Sequence, residues 1–297
     1  MTAPTAAAPS PMQKVLRTVV RHGLRPLLRP EVPLGVRRRA TAMLGVVRRL
    51  PPGTQVSRTV LGGRPAERVG TTTDTGAGVV LYLHGGGYTV GGAATHRALA
   101  AYLAETTGRT VYLLDYRLAP EHPYPAALDD TVAAYQDLLA AGHTDIVVVG
   151  DSAGGGLAVS AAVRLRDAGA PKPRALLLVS PWADLTLTDP WLTGRIDDML
   201  PLDWLRQCAA AYAADPDDPL VSPVFADLRE LPPVTIHVGA EEILRADAER
   251  LAEALRGAGV PVDLTVFDGM WHVWHLHAGL FPAATRAVAQ LGAGVAR

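Results

Sequence analysis

The chain of 297 residues is 48% hydrophobic and 19% charged, which suits one large α/β domain or two small ones with a substantial core. Its 29 Gly and 24 Pro are spread along the chain, which excludes collagen-like and wholly disordered readings. A net charge of −1 gives no overall pull toward nucleic acid, and a single cysteine, Cys208, excludes an intramolecular disulfide and a thiolate-rich metal site.

The charge is unevenly placed. Residues 1–50 hold ten Lys/Arg against one acid, Glu31, and the remainder is correspondingly acidic. Residues 1–12, rich in Ala, Pro, Thr and Ser, are expected to fray. Beyond them Val15, Leu16, Val19, Val20, Leu24, Leu27 and Leu28 recur at helical spacing among arginines, and a second helical stretch covers Pro33–Leu50. These read as two amphipathic cap helices (residues 1–50), with a peripheral membrane anchor as the rival reading. No stretch reaches the roughly 18 apolar residues of a membrane span, and Arg interrupts each apolar run through Leu50, so neither stable insertion nor a secretory leader is expected. The expected location is the cytoplasm.

Residues 51–297 show the rhythm of strand and helix. Strands are predicted at Arg58–Leu61, Ala66–Val69, Gly78–His84, Thr110–Asp115, Ile146–Val149, Ala175–Ser180, Val234–Val238 and Val262–Phe267. Helical patterns fall at His96–Thr106, Ala126–Ala141, Gly155–Ala168 and Ala246–Ala258. Alternation of this kind predicts an eight-stranded, mostly parallel sheet flanked by helices; the first two strands, with no helix between them, predict an antiparallel edge.

Gly150-Asp151-Ser152-Ala153-Gly154 lies between a buried strand and a helix. A turn this sharp strains the serine and lifts its hydroxyl above the sheet, and the helix N-terminus behind it favours negative charge. Chance alone would supply about 0.06 copies of Gly-x-Ser-x-Gly here, so the flanking strand and helix carry the reading. Ser152 is the candidate nucleophile.

His84-Gly85-Gly86-Gly87-Tyr88 follows another apolar strand and is sharper, with a chance expectation of about 0.01. Bare amides of Gly85 and Gly86, with that of Ala153, are the candidate oxyanion donors. A nucleotide-binding loop would need a Lys-Ser/Thr ending or dinucleotide Gly spacing, neither of which is present. His84 is expected to orient the loop.

The Ser–acid–His order of the α/β-hydrolase fold places the base after the last strand, where His272 stands, and the acid after the strand before it. There Glu242 leads, with Glu241 and Asp247 as rivals; Asp268 is too near His272 in sequence. His275 and His277 read as helix-face residues in preference to metal ligands, and no cofactor is expected. Trp271 and Trp274 bracket His272, and at least one is expected to wall the pocket unless both simply pack; Tyr88 and Trp182 are the other expected substrate contacts.

Taken together, His84–Tyr88, Asp115–Glu121, Gly150–Gly155, Ser180–Thr186 and the His272 loop resemble the hormone-sensitive-lipase-like esterases, bacterial family IV carboxylesterases and acetyl hydrolases. The resemblance implies an α/β-hydrolase fold with an N-terminal helical cap and hydrolysis of small or medium-chain acyl esters through an acyl-enzyme. Asp115–Glu121 is then a structural element. The chain departs from the family at Glu242–Ala246, where Asp-Pro-Leu-x-Asp is common, and at His272-Val273-Trp274, where His-Gly-Phe is common. A lactone or amide hydrolase, and a non-catalytic receptor on the same fold, remain the alternatives. A small-molecule ester is the expected partner; a homodimer stays open.

Overall fold

The computed structural model describes residues 10–46 and 50–296. Eight strands form one sheet: β1 (Gln55–Leu61), β2 (Arg64–Gly70), β3 (Val79–Leu83), β4 (Thr110–Leu114), β5 (Ile146–Asp151), β6 (Ala175–Val179), β7 (Val234–Gly239) and β8 (Val262–Phe267). Their spatial order is β1-β2-β4-β3-β5-β6-β7-β8, with β1–β2 and β2–β4 antiparallel and every other pair parallel. The eight strands and the antiparallel edge agree with the apolar rhythm of the sequence.

The central strands are apolar on both faces, and their alternation separates two cores. Leu81, Leu83, Val148 and Leu178 point into one; Val80, Tyr82, Val147 and Val149 point into the other. Helices α1 (Pro11–Val19), α2 (Arg25–Leu27) and α3 (Leu34–Val46) precede the sheet, and α4 (Ala93–Thr107), α5 (Ala126–Ala140), α6 (Ala153–Asp167), α7 (Leu202–Tyr212), α8 (Arg245–Gly257) and α9 (Pro282–Ala293) alternate with or follow its strands. Leu99 and Leu103 of α4 and Val288 and Leu291 of α9 fill the second core, while Leu128, Leu157 and Leu251 fill the first. Helices α7 and α9 escaped the sequence reading because each is short and sits among prolines and loops. No described helix is long and apolar enough to cross a membrane.

Chain order reverses between β3 and β5, which are neighbours although β4 lies on the far side of β3. Loops leaving the carboxyl ends of two such strands diverge and open a crevice. Both the glycine run after β3 and Ser152 after β5 border it.

The N-terminal helices lie against these loops. Of the tail expected to fray, residues 1–9 lie outside the described residues, but residues 10–12 are ordered: Pro11 opens α1 and the Ser10 hydroxyl accepts the Gln13 N–H at 3.2 Å. A π-helical turn (Val20–Leu24) joins α1 to α2. Gln13 donates to the Gly269 carbonyl at 3.2 Å. Arg38 donates to the Thr89 and Ala119 carbonyls and forks onto Glu121. Residues 47–49, where the cap was expected to end, lie outside the described residues.

Close approach of backbones at the crevice gives one prediction. A Cβ at Gly154 would stand 2.1 Å from the Leu83 carbonyl oxygen of β3, which cannot move without breaking the sheet. Gly154→Ala should therefore destabilise the fold by roughly 2–3 kcal/mol or more, read as a lower urea midpoint with unchanged slope. An unshifted midpoint would contradict this packing.

Candidate active site

At the end of β5 the chain must turn into α6 within one residue. Ser152 takes that turn with φ 53° and ψ −122°, a conformation costing an L-residue roughly 1–3 kcal/mol. Its N–H donates to Val179 O and its carbonyl accepts from Trp182 N–H, each at 2.9 Å, so the strained residue is held from both sides. The flanking glycines are sterically required, since a Cβ at Gly150 would lie 2.1 Å from Gly154 O.

The glycine run after β3 folds over the same point. Gly86 adopts φ 123°, and its carbonyl accepts from Thr89 and Val90 N–H, closing the loop. The amides of Gly86 and Ala153 have no acceptor among the described residues. Gly85 differs from expectation: its N–H donates to Asp151 Oδ1 at 3.1 Å, so that amide is committed to the protein. The sequence could not reveal this, because Asp151 occupies the variable position of the serine motif.

Asp151 is a buried hub. Tyr82 Oη donates to Oδ1 at 2.8 Å and His96 Nε2 lies 3.2 Å from Oδ2. Burial pushes its pKa up, but the charge and hydrogen bond of His96, the Tyr82 hydroxyl and the nearby His84 outweigh that and hold the carboxyl below its usual range. His84 stacks on Tyr116 with ring centroids 4.2 Å apart and donates from Nδ1 to Gly85 O at 2.8 Å. Burial, with repulsion from His96, lowers its pKa to about 4, so the ring is neutral at pH 7. It braces the loop, as expected from its position.

Glu242 stands after β7 and His272 after β8. Their side chains meet at 2.6 Å between Oε2 and Nδ1, both fully buried. The other carboxylate oxygen accepts the Gly239 N–H at 2.5 Å and the Ser180 hydroxyl at 2.8 Å. Ser180 Oγ in turn accepts the Val273 N–H at 3.2 Å and so joins the two loops. Burial alone would lower the His272 pKa; the charge and hydrogen bond of Glu242, with Asp197 and Asp151 beyond, outweigh it and raise the pKa above 6.5. Its Nε2 is buried without a hydrogen-bond partner among the described residues.

None of the rival acids contacts His272. Glu241 is exposed and pairs with Arg17. Asp247 accepts the Ala183 and Asp184 N–H groups, and burial together with the Asp184 charge pushes its pKa up to about 8. Asp268 is exposed.

Ser152, His272, Gly85 and Gly86 line one cavity, open at its mouth. Its walls are apolar, chiefly Leu24 and Leu28 from the N-terminal segment, Met199 and Leu200 from the loop before α7, Trp204 of α7 and Leu276. The three expected substrate contacts lie elsewhere. Tyr88 stacks on Tyr212 at 3.7 Å, Trp182 is buried with its Nε1 donating to Asp184 O, and Trp271 packs with Val20, Met270 and Phe281. Each ring fills core; Trp204 is the tryptophan at the cavity, and nothing in its local sequence marks it. Asp197, which accepts the Met199, Leu200 and Ile243 N–H groups, was likewise unmarked. His275 sits in a 3₁₀ turn, 3.1 Å from His237 Nδ1 through its Nε2.

Residues 80–276 match the family model described as alpha/beta hydrolase fold. An acetyl-hydrolase of Streptomyces hygroscopicus is 43% identical over 253 residues, covering 82% of each chain. A crystal structure of an esterase from the bacterial hormone-sensitive lipase family superposes with a TM-score of 0.92 at 39% identity, over 97% of this chain and 98% of that one. A crystal structure of the esterase EstE5 soaked with p-nitrophenyl butyrate gives 0.90 at 37% identity, over 96% and 98%. With the strand order, the serine turn and the glycine loop, these likenesses make the chain a member of the α/β-hydrolase fold family and, within it, of the bacterial hormone-sensitive-lipase-like (family IV) esterases.

Proposed function

We propose that the protein is a serine carboxylesterase that cleaves small or medium-chain acyl esters, with Ser152, His272 and Glu242 as its catalytic residues. The observation that carries this reading is the buried Glu242–His272 contact at 2.6 Å, which leaves Nε2 unpaired in the cavity that also holds Ser152. The relatives' names, acetyl-hydrolase and esterase, support the same reaction class.

Ser152 Oγ attacks the ester carbonyl while His272 Nε2 takes its proton. The Gly86 and Ala153 amides donate to the oxyanion; Gly85 serves by anchoring the loop to Asp151. The imidazolium then protonates the leaving alcohol as the C–O bond breaks. Water repeats the attack on the acyl-enzyme, giving its proton to His272, and Ser152 is restored. Glu242 fixes the ring so that Nδ1 carries hydrogen and stabilises its charged form. The apolar walls suit a short or medium acyl chain, with Leu24 and Leu28 of the N-terminal segment forming part of them. The single buried thiol, Cys208, needs no oxidised partner and accords with work in the cytoplasm.

Ser152→Ala should abolish p-nitrophenyl acetate hydrolysis, and Glu242→Gln should lower kcat by roughly 10³–10⁴. Glu241→Gln, at an exposed acid remote from the ring, should leave kcat within about twofold. Turnover surviving in Ser152→Ala would overturn the assignment.

The base must be neutral to accept a proton, so kcat/KM should rise with pH and reach half its plateau above pH 6.5, the direction in which Glu242 moves the His272 pKa. In Glu242→Gln that attraction is gone, and the half-point should move to lower pH. A profile flat from pH 5 to 8 would remove His272 from the role of base.

A further inference from the structure

Arg37, on α3, takes no part in the cavity described above. Its side chain is 4% exposed, and its guanidinium has no carboxylate or carbonyl partner among the described residues; Nε is buried and unbonded. The contrast with its neighbour is sharp, since Arg38 engages Glu121 through two nitrogens and two backbone carbonyls as well. Guanidinium does not shed its proton, so the positive charge persists on this largely buried side chain. An uncompensated buried charge is strongly destabilising, and burial is tolerated when a counter-charge is supplied.

The other titratable side chain lining the same cavity as Arg37 does not supply one. Cys208 lines the same cavity, but burial pushes its thiol up to about 12 against the smaller opposing pulls of Thr89 and Arg37, so it stays neutral. Its sulfur is 3.3 Å from Thr89 Oγ1. The cavity shares no residue with the Ser152 cavity. Beside Arg37 its wall is mostly apolar, from Val32, Leu34, Pro120 and Ala211, with Gln207 and Thr89 as the polar additions.

From this arrangement we propose a second ligand site, in which Arg37 pairs with the carboxylate of a small aliphatic acid whose chain lies along Val32, Leu34, Pro120 and Ala211. The planar fork of a guanidinium matches a carboxylate through two parallel N–H···O bonds, and the apolar wall selects an acid carrying an alkyl chain over a bare anion. The site does not depend on the esterase reading, because it neither contacts Ser152 nor uses the His272 cavity.

The test measures butyrate binding to the full chain by titration calorimetry and by thermal unfolding, with butyramide and inorganic phosphate in parallel. The wild type should bind butyrate and unfold at a higher temperature in its presence, more so than with phosphate, and butyramide should do neither. Arg37→Met should weaken butyrate binding by about tenfold or more, the loss expected for a charge-assisted pair, while keeping p-nitrophenyl acetate hydrolysis. In acid-free buffer Arg37→Met should unfold at the same temperature as the wild type or higher, because the unpaired charge is gone. Arg37→Lys, which keeps the charge without the fork, should bind several-fold more weakly than wild type and decides the matter if the Met variant does not fold. Equal butyrate affinity in wild type and variants, no binding to wild type, equal response to butyramide, or tighter binding of phosphate would each overturn the proposal.

Discussion

The close approach of the start of α6 to the end of β3 leaves no room for a side chain at Gly154, whose Cβ would sit 2.1 Å from Leu83 O. That contact brings the start of α6 down onto the end of β3 and forces the chain from β5 into α6 through one residue. Ser152 absorbs the whole reversal at φ 53°. The same proximity lays the glycine run against the serine turn, since both leave adjacent strands at the point where the strand order reverses. Ser152 and the Gly86 and Ala153 amides are thus placed by one steric condition, and neither requires a flexible approach to the other.

Around this point the protein buries several ionisable groups, and their pairing decides which of them are charged. Asp151 is held ionised by Tyr82, His96 and the Gly85 amide, and through that amide it fixes the loop whose next residue, Gly86, keeps a free N–H. Glu242 receives a backbone amide, the Ser180 hydroxyl and the His272 ring. A carboxylate so surrounded cannot easily rotate, and the imidazole inherits that rigidity. Asp247, equally buried but beside Asp184, is instead pushed toward its protonated form. For Asp247, burial and the like charge of Asp184 outweigh its two backbone N–H donors.

The parallel sheet was legible because strands buried on both faces must be continuous apolar runs, and Val79–Leu83 and Ile146–Val149 are such runs. The serine turn and glycine loop were legible because close backbone approach demands glycine and leaves its mark in short motifs. His272 and Glu242 followed from the order in which strands deliver loops. Pocket walls were not legible in this way. Trp271 was expected at the cavity because it adjoins His272 in sequence, yet a residue next to a catalytic-type ring on a tight loop points the other way, and it packs on Phe281. Trp204 reaches the cavity from a helix 68 positions upstream of His272, a contact made only by tertiary packing. Gly85 shows the same limit on a smaller scale, since a glycine run signals close approach but not which amide faces the crevice and which faces Asp151.

The uneven charge of the chain has a structural counterpart in how its N-terminal segment is attached. Arg17 pairs with Asp198 and Glu241, Arg21 approaches Asp198, and Arg38 forks onto Glu121, so basic side chains of α1, the π turn and α3 meet acids of the α/β body. Pairs of this exposure contribute about 0–1 kcal/mol each and are screened by salt, which makes them fasteners of orientation more than of stability. Apolar contact supplies the rest: Val20 packs with Trp271 and Phe281, and Leu28 joins the larger core. Leu24 and Leu28 also form part of the wall above Ser152. Held through a few buried apolar side chains and several weak ionic ones, this segment gives the cavity part of its apolar wall.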